Sequence, residues 1–265
     1  MKIYDCIMYY DDELTLSLRL NILDKYVDKF VIVEATRDHA GNVKKLNFDK
    51  KKFIRFEKKI IYLVIDDIPE KVENYKKGWS LNFFRENFHR NAISRALTDC
   101  NPNDLIIISD ADEIPNLDIL ENTKINKFAI FSQNHFCYKI NLFQSYNWLG
   151  SSICYKKYLK SPQWLRNKRF LRRGFLRKIF FKTQILKHGG WHFSYLKTPE
   201  DIAKKVKAYA HGEHMDLGNI EFIKKNIEMN RLFISPEHEL FKIALDDTFP
   251  LYIRENKEIL SDWIL

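Results

Sequence analysis

The sequence predicts an α/β protein with a mostly parallel central sheet flanked by helices, followed by a C-terminal half of mixed structure. Two observations predict this class. Over the first 110 residues, short apolar runs typical of buried strands alternate four times with segments of helical spacing. After residue 127 the alternation stops, and aromatic and basic segments follow. Because no linker separates the two parts, we predict one domain, residues 1–265.

The first half supplies the parallel sheet. Four apolar runs predict strands, at residues 2–8, 30–35, 60–66 and 105–109. Three segments between them predict helices: residues 12–26 and 81–96, where apolar residues recur at helical spacing, and a lysine-rich segment at about 49–58. A continuous apolar run such as "FVIVEA" is typical of a strand buried on both faces. Because the carboxyl ends of parallel strands meet at one edge, Glu34, Asp66 and Asp110 should lie along one rim, where ligands bind.

The second half is predicted to be mixed. "FAIFSQ" (128–133) and "HFCYKINLF" (135–143) predict two strands, antiparallel because their connection is short. "HGGWHFSYL" predicts a last strand, and a helix begins at "TPED", where Thr198 caps and Pro199 takes the first helical position. The remainder, including 219–230, is predicted to be helical.

The composition is that of a folded protein, since 45% of the residues are hydrophobic and 14% are aromatic. The N-terminus lacks an apolar stretch of signal-peptide length, and no segment approaches the roughly 18 apolar residues of a membrane span. The four cysteines are widely spaced, without a CxxC pair that would indicate zinc or redox chemistry. We therefore expect reduced thiols in a cytoplasmic protein.

The motif "SDADEIP" (109–115) places three acids directly after the fourth strand. Asp110 and Asp112 are one residue apart on a predicted turn and could face the same cation. Carboxylate and phosphate oxygens are the ligands of Mg²⁺ and Mn²⁺, which keep positions open for substrate phosphates. A solvated acidic turn is the alternative, because a DxD pair alone is a weak signal.

Several segments together resemble glycosyltransferase family 17, which includes the β-1,4-mannosyl-glycoprotein N-acetylglucosaminyltransferases and bacterial and viral relatives. "SDADEIP" is preceded by "YDCIMYYDDELTLSLRL" and "VDKFVIVEATRDHAG", and is followed by "GGWHFSYLKTPEDI", "AYAHGEH" and "PLYIREN". The resemblance implies a GT-A nucleotide-sugar transferase fold. Residues 1–115 would form its nucleotide-sugar-binding half and residues 116–265 its acceptor-side half.

The resemblance also implies an activity. We expect a metal-dependent, inverting transfer of a sugar, N-acetylglucosamine above all, from a UDP-sugar to a glycan or lipid-linked sugar acceptor. UDP-N-acetylglucosamine would be the donor and Mn²⁺ or Mg²⁺ the cofactor. Two alternatives are a metal-dependent nucleotidyl or phosphoryl transferase and a basic nucleic-acid-binding protein. The ordered motifs favour the sugar transferase, so that no nucleic-acid partner is expected.

The expected metal ligands are Asp112, Asp110 and His192, the histidine of "GGWHFS". The expected donor-binding residues are Glu34, Thr36, Arg37, Arg90, Asp110 and Glu113. His192 could instead be a core residue or bind the diphosphate, and three of the donor-binding candidates also have an alternative role. Glu34 could pair with a lysine, Glu113 could brace the turn, and Arg90 could form a surface pair with Glu86, four residues earlier. Trp191 is expected to pack or to stack on a sugar.

An inverting reaction needs a carboxylate that takes the proton of the acceptor hydroxyl. We prefer Glu213, in "HGEH", with Glu200 and Asp201 as second candidates at the start of the helix after the last strand. The alternative for Glu200 is structural, because an acid in a first helical turn is favoured by the helix dipole.

The net charge of +9 is unevenly distributed, since residues 122–199 contain no acid. The basic residues between Lys156 and Lys187 alternate with apolar ones such as Trp164, Leu165 and Phe170. Basic stems beside exposed rings suit an anionic membrane, which is the basis for a hypothesis of peripheral membrane contact. In the alternative, the aromatic residues are core and the charges pair with acids elsewhere.

Overall fold

A computed structural model describes residues 1–69, 81–172, 183–208 and 219–265. Its described part contains a ten-stranded sheet whose main path runs β3-β2-β1-β4-β7-β6-β9-β5. The strands of this path are β1 (Ile3–Tyr9), β2 (Lys29–Ala35), β3 (Ile60–Ile65), β4 (Leu105–Asp110), β5 (Glu113–Pro115), β6 (Phe128–Cys137), β7 (Leu142–Tyr155) and β9 (Gly190–Ser194). Strand β8 (Gln184–Leu186) pairs with β6, and β12 (Phe241–Lys242) pairs with β7.

The described helices are α1 (Glu13–Leu23), α2 (Leu81–Ala92), α3 (Pro162–Arg166), α4 (Pro199–Ala208), α5 (Ile220–Glu228) and α6 (Leu251–Glu255). Short 3₁₀ helices continue α2 to Ala96 and α3 to Arg172, and another spans Lys50–Phe56. Strands β10 (Arg231–Leu232) and β11 (Ser235–Glu239) form a separate pair. The α/β class with a mostly parallel sheet flanked by helices is therefore confirmed.

Strands β1 to β4 are parallel to one another, as their apolar sequences predict. Residues alternate between two cores along these strands. Ile107 packs on the face that α1 covers, whereas Ile106 and Ile108 pack on the opposite face with Ile93. The register places Tyr9 beside Glu34 and Met8 beside Asp110. The carboxyl ends of β1, β2 and β4 therefore meet at one edge, as predicted.

The second half contains the predicted hairpin, but the predicted position of its turn is wrong. Residues 128–137 form one strand, β6, and its antiparallel partner is β7 at 142–155. The predicted break near Asn134 is internal, because this residue pairs with Trp191 of β9. The chain turns instead after Cys137, where Tyr138 adopts a φ of 65°. The sequence signal was weak because β6 is buried on both faces and lacks alternation.

Two further boundaries differ from prediction. The lysine-rich segment 49–58 is a 3₁₀ helix at Lys50–Phe56 with a non-helical residue, Phe53, inside it. The C-terminal region is not wholly helical, since β10, β11 and β12 follow α5. All four cysteines are free thiols, and three of them are buried. Within the described ranges, no helix is long and apolar enough to cross a membrane.

Candidate active site

A cleft of about 260 Å³ opens at the carboxyl edge of β1, β2 and β4. The loop after β2, helix α2, strand β9 and helix α4 supply its other walls. Its described walls carry five carboxylates, from Asp12, Asp38, Glu86, Asp110 and Asp112, and four cationic side chains, from Arg37, Lys44, Arg90 and Lys205. Charged groups from separate segments thus converge where open α/β sheets bind their ligands.

Two arginines hold the first acid of the DxD motif. Arg90 Nη2 donates to Asp110 Oδ1 at 3.1 Å, and Arg166 Nη2 donates to Asp110 Oδ2. Burial alone would raise the pKa of Asp110, but the charges of Arg166, Arg90 and Arg169 outweigh burial and hold this pKa well below its usual range. Asp110 is therefore ionised, and each of its oxygens already accepts a hydrogen bond.

The turn that carries the motif is braced from behind. The Glu113 carboxylate is fully buried and accepts hydrogen bonds from both terminal nitrogens of Arg166, at 2.5 and 2.7 Å. Arg19, paired with Asp5, donates to the Glu113 carbonyl at 2.6 Å. Glu113 does not line the cleft. Of the two roles expected for Glu113, the structure therefore shows the bracing of the turn and not a contact with a donor.

Asp112 and His192 line the cleft next to each other. Asp112 Oδ1 lies 3.5 Å from His192 Nε2. Burial would raise the pKa of Asp112, but His192 and then Lys205 overcome this and lower it to about 2. Within the described segments, no group of three or more histidine, cysteine or acidic side chains could hold a metal ion alone.

This pair fits a divalent cation. Ligand atoms about 2.1 Å from one cation lie about 3.0 to 3.6 Å from each other, which matches the separation of Asp112 and His192. Two protein ligands are also sufficient for Mg²⁺ or Mn²⁺ when substrate phosphates complete the shell. Asp110 fits less well, because both of its oxygens are taken by arginines. Its expected role as a metal ligand stays a prediction.

Aromatic rings fix the position of His192. Its ring stacks on His135, with centroids 4.2 Å apart, and lies 4.6 Å from the ring of Trp148. Ser194 Oγ is 2.9 Å from Nε2 of His192 and 3.0 Å from Nε2 of His135. Because burial and then His192 lower the pKa of His135 to about 3, the His135 ring is neutral near pH 7.

Glu34 is not at the cleft surface, although it ends β2 as predicted. It is fully buried, and its carboxylate accepts hydrogen bonds from Lys44 Nζ, the Asn47 and Phe48 amides and the Tyr62 hydroxyl. The alternative role, a strand-end acid paired with a lysine, is therefore the one that the structure shows. Glu34 holds the 44–48 segment against the sheet.

The other expected donor-binding residues are divided. Arg37 lines the cleft beside Asp38, and its Nη1 donates to the Gly41 carbonyl at 3.1 Å. Thr36 does not line it and bonds to the Ile65 carbonyl. Arg90 lines the cleft and pairs with Glu86. Because Arg90 is buried, this is not the surface pair of the alternative interpretation.

Two further predicted residues lie outside the cleft. Asp66 is exposed and does not line it, so the predicted rim of three acids is reduced to Asp110 at the surface of the cleft. Trp191 packs in the core, and its indole donates to the Thr248 carbonyl at 3.1 Å.

The candidate bases have different outcomes. Glu213 lies outside the described residues. Glu200 lies on the surface, where it pairs with Lys224 at 3.1 Å, and it does not line the cleft. Asp201 is bound to Thr198 and Lys204 at the start of α4. The structure thus places Glu200 and Asp201 in the structural role of first-turn acids.

Several residues of the site were not predicted. Arg166 and Trp148 follow no motif, and Lys205 lies on a helix whose sequence has many lysines. Lys205 Nζ lies 3.0 Å from Asp12 Oδ1, and Lys197 Nζ lies 2.8 Å from Asp11 Oδ1. One signal could have indicated Arg166: it lies in an acid-free stretch, so that its charge needs a partner from elsewhere.

The basic stretch turns partly inward. Leu165 and Arg166 are fully buried, and Arg169 lies 3.6 Å from the Glu113 carboxylate. Trp164 packs edge-on against Phe128 and lies under the ammonium group of a lysine. These contacts favour the alternative in which the apolar residues are core and the charges pair with distant acids. The residues 173–182 of this stretch lie outside the described part.

Comparison with known proteins agrees with the resemblance found in the sequence. The model of Glycosyltransferase family 17 matches residues 1–241. Proteins from Rattus norvegicus and Homo sapiens, both named β-1,4-mannosyl-glycoprotein 4-β-N-acetylglucosaminyltransferase, are each 25% identical over 232 residues. These matches cover 78% of this chain but only 42% and 43% of the two relatives, respectively. The crystal structure of an active-site mutant of LgtC aligns with 80% of each chain, at 12% identity and a TM-score of 0.32.

Proposed function

Because the chain belongs to glycosyltransferase family 17, we propose that it is a metal-dependent, inverting enzyme that transfers a sugar from a UDP-sugar to a glycan or glycoconjugate acceptor. The observation that carries this proposal is the pair formed by Asp112 and His192 in the cleft at the carboxyl edge of the parallel strands. The four parallel strands also fit the GT-A class that the family implies.

UDP-N-acetylglucosamine is the proposed donor, because both relatives are named as N-acetylglucosaminyltransferases. The acceptor is proposed only as a class, a glycan or a lipid-linked sugar. The chain spans less than half the length of these relatives, so that the mannosyl-glycoprotein of their names is not transferred to it.

The charge of the cleft supports a requirement for a cation. Its described walls carry five carboxylates and four cationic groups, and a donor diphosphate would add further negative charge. Asp112 and His192 are the residues that would hold Mn²⁺ or Mg²⁺. A bound divalent cation would neutralise the charge that develops on the β-phosphate of the leaving UDP.

The side chains of the protein have separate tasks in this proposal. Arg90 and Arg166 keep Asp110 ionised and fixed, and Lys205 adds a positive charge on the opposite wall. Glu213 would take the proton of the acceptor hydroxyl. At the same time the acceptor oxygen would bond to the anomeric carbon, and the bond from that carbon to UDP would break. One displacement of this kind inverts the configuration and needs no covalent nucleophile.

The test is a release assay with purified protein and a panel of UDP- and GDP-sugars, with Mn²⁺ or with EDTA. We expect release of UDP from UDP-N-acetylglucosamine in Mn²⁺ and none in EDTA. Release that is unchanged by EDTA would contradict the metal role. Release of pyrophosphate from a nucleoside triphosphate, without sugar transfer, would instead support a nucleotidyl transferase.

A further inference from the structure

We propose that Glu113 is a positioning residue that couples the two walls of the cleft, holding Asp110 through Arg166 and His192 through Trp148. Its importance for turnover rests on the function proposed above, whereas the coupling itself is a property of the fold. Glu113 touches no ligand space, because it lies behind the cleft wall.

The Glu113 carboxylate has four hydrogen-bond donors and no access to water. Oε1 accepts from Trp148 Nε1 at 2.9 Å and from Arg166 Nη2 at 2.7 Å. Oε2 accepts from Arg166 Nη1 at 2.5 Å and from the Asp110 amide at 3.2 Å. All the lone pairs of an ionised carboxylate are thereby used, and their donors come from three separate segments.

The first arm runs through Arg166. This guanidinium is fully buried, binds Glu113 with both terminal nitrogens and donates one further bond to Asp110 Oδ2. Its Nη1 also donates to the Gly150 carbonyl at 2.8 Å. A planar guanidinium held on both nitrogens has one orientation, so that Asp110 is directed by the Glu113 carboxylate.

The second arm runs through Trp148. Its indole N–H is directed at Glu113, and its ring lies 4.6 Å from that of His192 at an interplanar angle of 30°. His192 in turn lies 3.5 Å from Asp112. A shift of the indole would therefore move the imidazole that we assign to the cation. Asp110 and His192, one on each wall of the cleft, therefore both depend on one buried carboxylate.

The coupling is tested with Arg166→Lys and Trp148→Phe, one variant for each arm, and with Glu113→Gln. Asp104→Asn is the matched control, because Asp104 is a buried carboxylate that binds the backbone amides of Lys2 and Asn101 outside the cleft. The first readout is the NMR spectrum of the indole N–H groups of the five tryptophans. The Trp148 resonance is assigned as the one that is missing in Trp148→Phe. We expect Arg166→Lys and Glu113→Gln to shift that signal, and Asp104→Asn to leave it in place.

The second readout is the turnover of UDP-sugar. We expect Glu113→Gln to lower kcat at least about tenfold while the KM for the donor changes less than about threefold, because the donor-contacting residues are retained. If Arg166→Lys and Trp148→Phe each lower kcat/KM about tenfold, independent effects would multiply to about a hundredfold loss. The loss of kcat/KM in the double variant should be well below that, because both residues act through Glu113.

Two results would overturn the coupling: a Trp148 resonance that Arg166→Lys leaves unmoved, or a double variant whose loss equals the product of the single losses. Failure of the proposed function is distinguishable from both. In that case the wild-type protein turns over no UDP-sugar, and the indole spectra still decide whether Glu113 joins the two arms.

Discussion

Asp112 Oδ1 and His192 Nε2 face each other 3.5 Å apart where β5 pairs with β9. Asp112 directly precedes β5, and its carbonyl accepts a hydrogen bond from the Phe193 amide at 2.9 Å. Because this contact joins the backbones, the sheet sets the spacing of the two residues, and the rings of His135 and Trp148 then orient His192. A carboxylate and an imidazole are thus held at a separation that two ligands of one cation would have.

Asp112→Asn should weaken Mn²⁺ binding at least about tenfold, because one anionic oxygen is lost from a site with two protein ligands. The measurement is the electron paramagnetic resonance signal of free Mn²⁺ during a titration, with and without UDP. Asp66→Asn is the control, since Asp66 also follows a parallel strand but lies exposed outside the cleft. Equal Mn²⁺ affinity of Asp112→Asn and the wild-type protein would remove Asp112 from the metal site.

Glu213→Gln should slow transfer about 10² to 10⁴-fold with little change in UDP affinity, because an amide cannot take the acceptor proton. Glu200→Gln is the matched variant, and we expect near wild-type transfer because Glu200 is on the surface with Lys224. Rates with saturating donor and acceptor, together with UDP titrations, distinguish the two. A loss in Glu200→Gln but not in Glu213→Gln would reverse the assignment.

Arg166→Met should lower the free energy of unfolding by about 3 to 5 kcal/mol, because the buried Glu113 carboxylate would lose its main cationic partner. Urea unfolding measures the change. Lys168→Met is the control from the same segment; its ammonium lies over the Trp164 ring at 4.3 Å, a contact of about 0.5 to 1 kcal/mol. Similar losses for the two variants would show that the buried ion pair is not a major contribution.

His89 should make the fold sensitive to acid. Burial, and then the neighbouring His39, lower the pKa of His89 from 6.5 to about 3, and its Nε2–H donates to the Val33 carbonyl at 3.2 Å. The unfolded chain therefore binds more protons between these two values. The contribution of neutral His89 to the free energy of unfolding is therefore complete above about pH 6.5 and is lost as the pH falls towards 3.

His89→Gln retains a hydrogen-bond donor but does not titrate in this range. The free energy of unfolding, measured in urea from pH 7 to about 4.5, should therefore decrease less steeply in the variant than in the wild-type protein. His135 has a similarly lowered pKa, so that some dependence should remain. Parallel pH profiles for both proteins would show that His89 is not responsible.

The backbone of the site could be predicted from the sequence, because strand runs and their carboxyl ends are local signals. Asp110, Asp112 and His192 were found in this way, together with the family resemblance. Glu34 shows the limit of that approach. A buried acid at a strand end has the same local sequence whether it binds a ligand or braces a loop, and only its contacts with Lys44 and Tyr62 decide.

Arg166 could not be predicted for a related reason. It reaches Glu113 from 53 residues further along the chain, and neither periodicity nor spacing reports a partner at that distance. The absence of acids from residues 122–199 does indicate that such a partner exists. It does not identify the partner, which depends on the antiparallel pairing of β4 with β7 and the packing of α3.

Lys197, just before α4, and Lys205, within it, have a consequence for the order in which the cleft forms. Lys197 and Lys205 bind Asp11 and Asp12 across 186 and 193 positions of the chain, respectively. Contacts of such high sequence separation form late, because the closure of a long loop must precede them. A nascent chain of which only the first 190 residues have left the ribosome can therefore form the edge of the parallel sheet but not the closed cleft. Donor binding should become possible only after α4 has been synthesised, and a fragment ending before α4 should lack it.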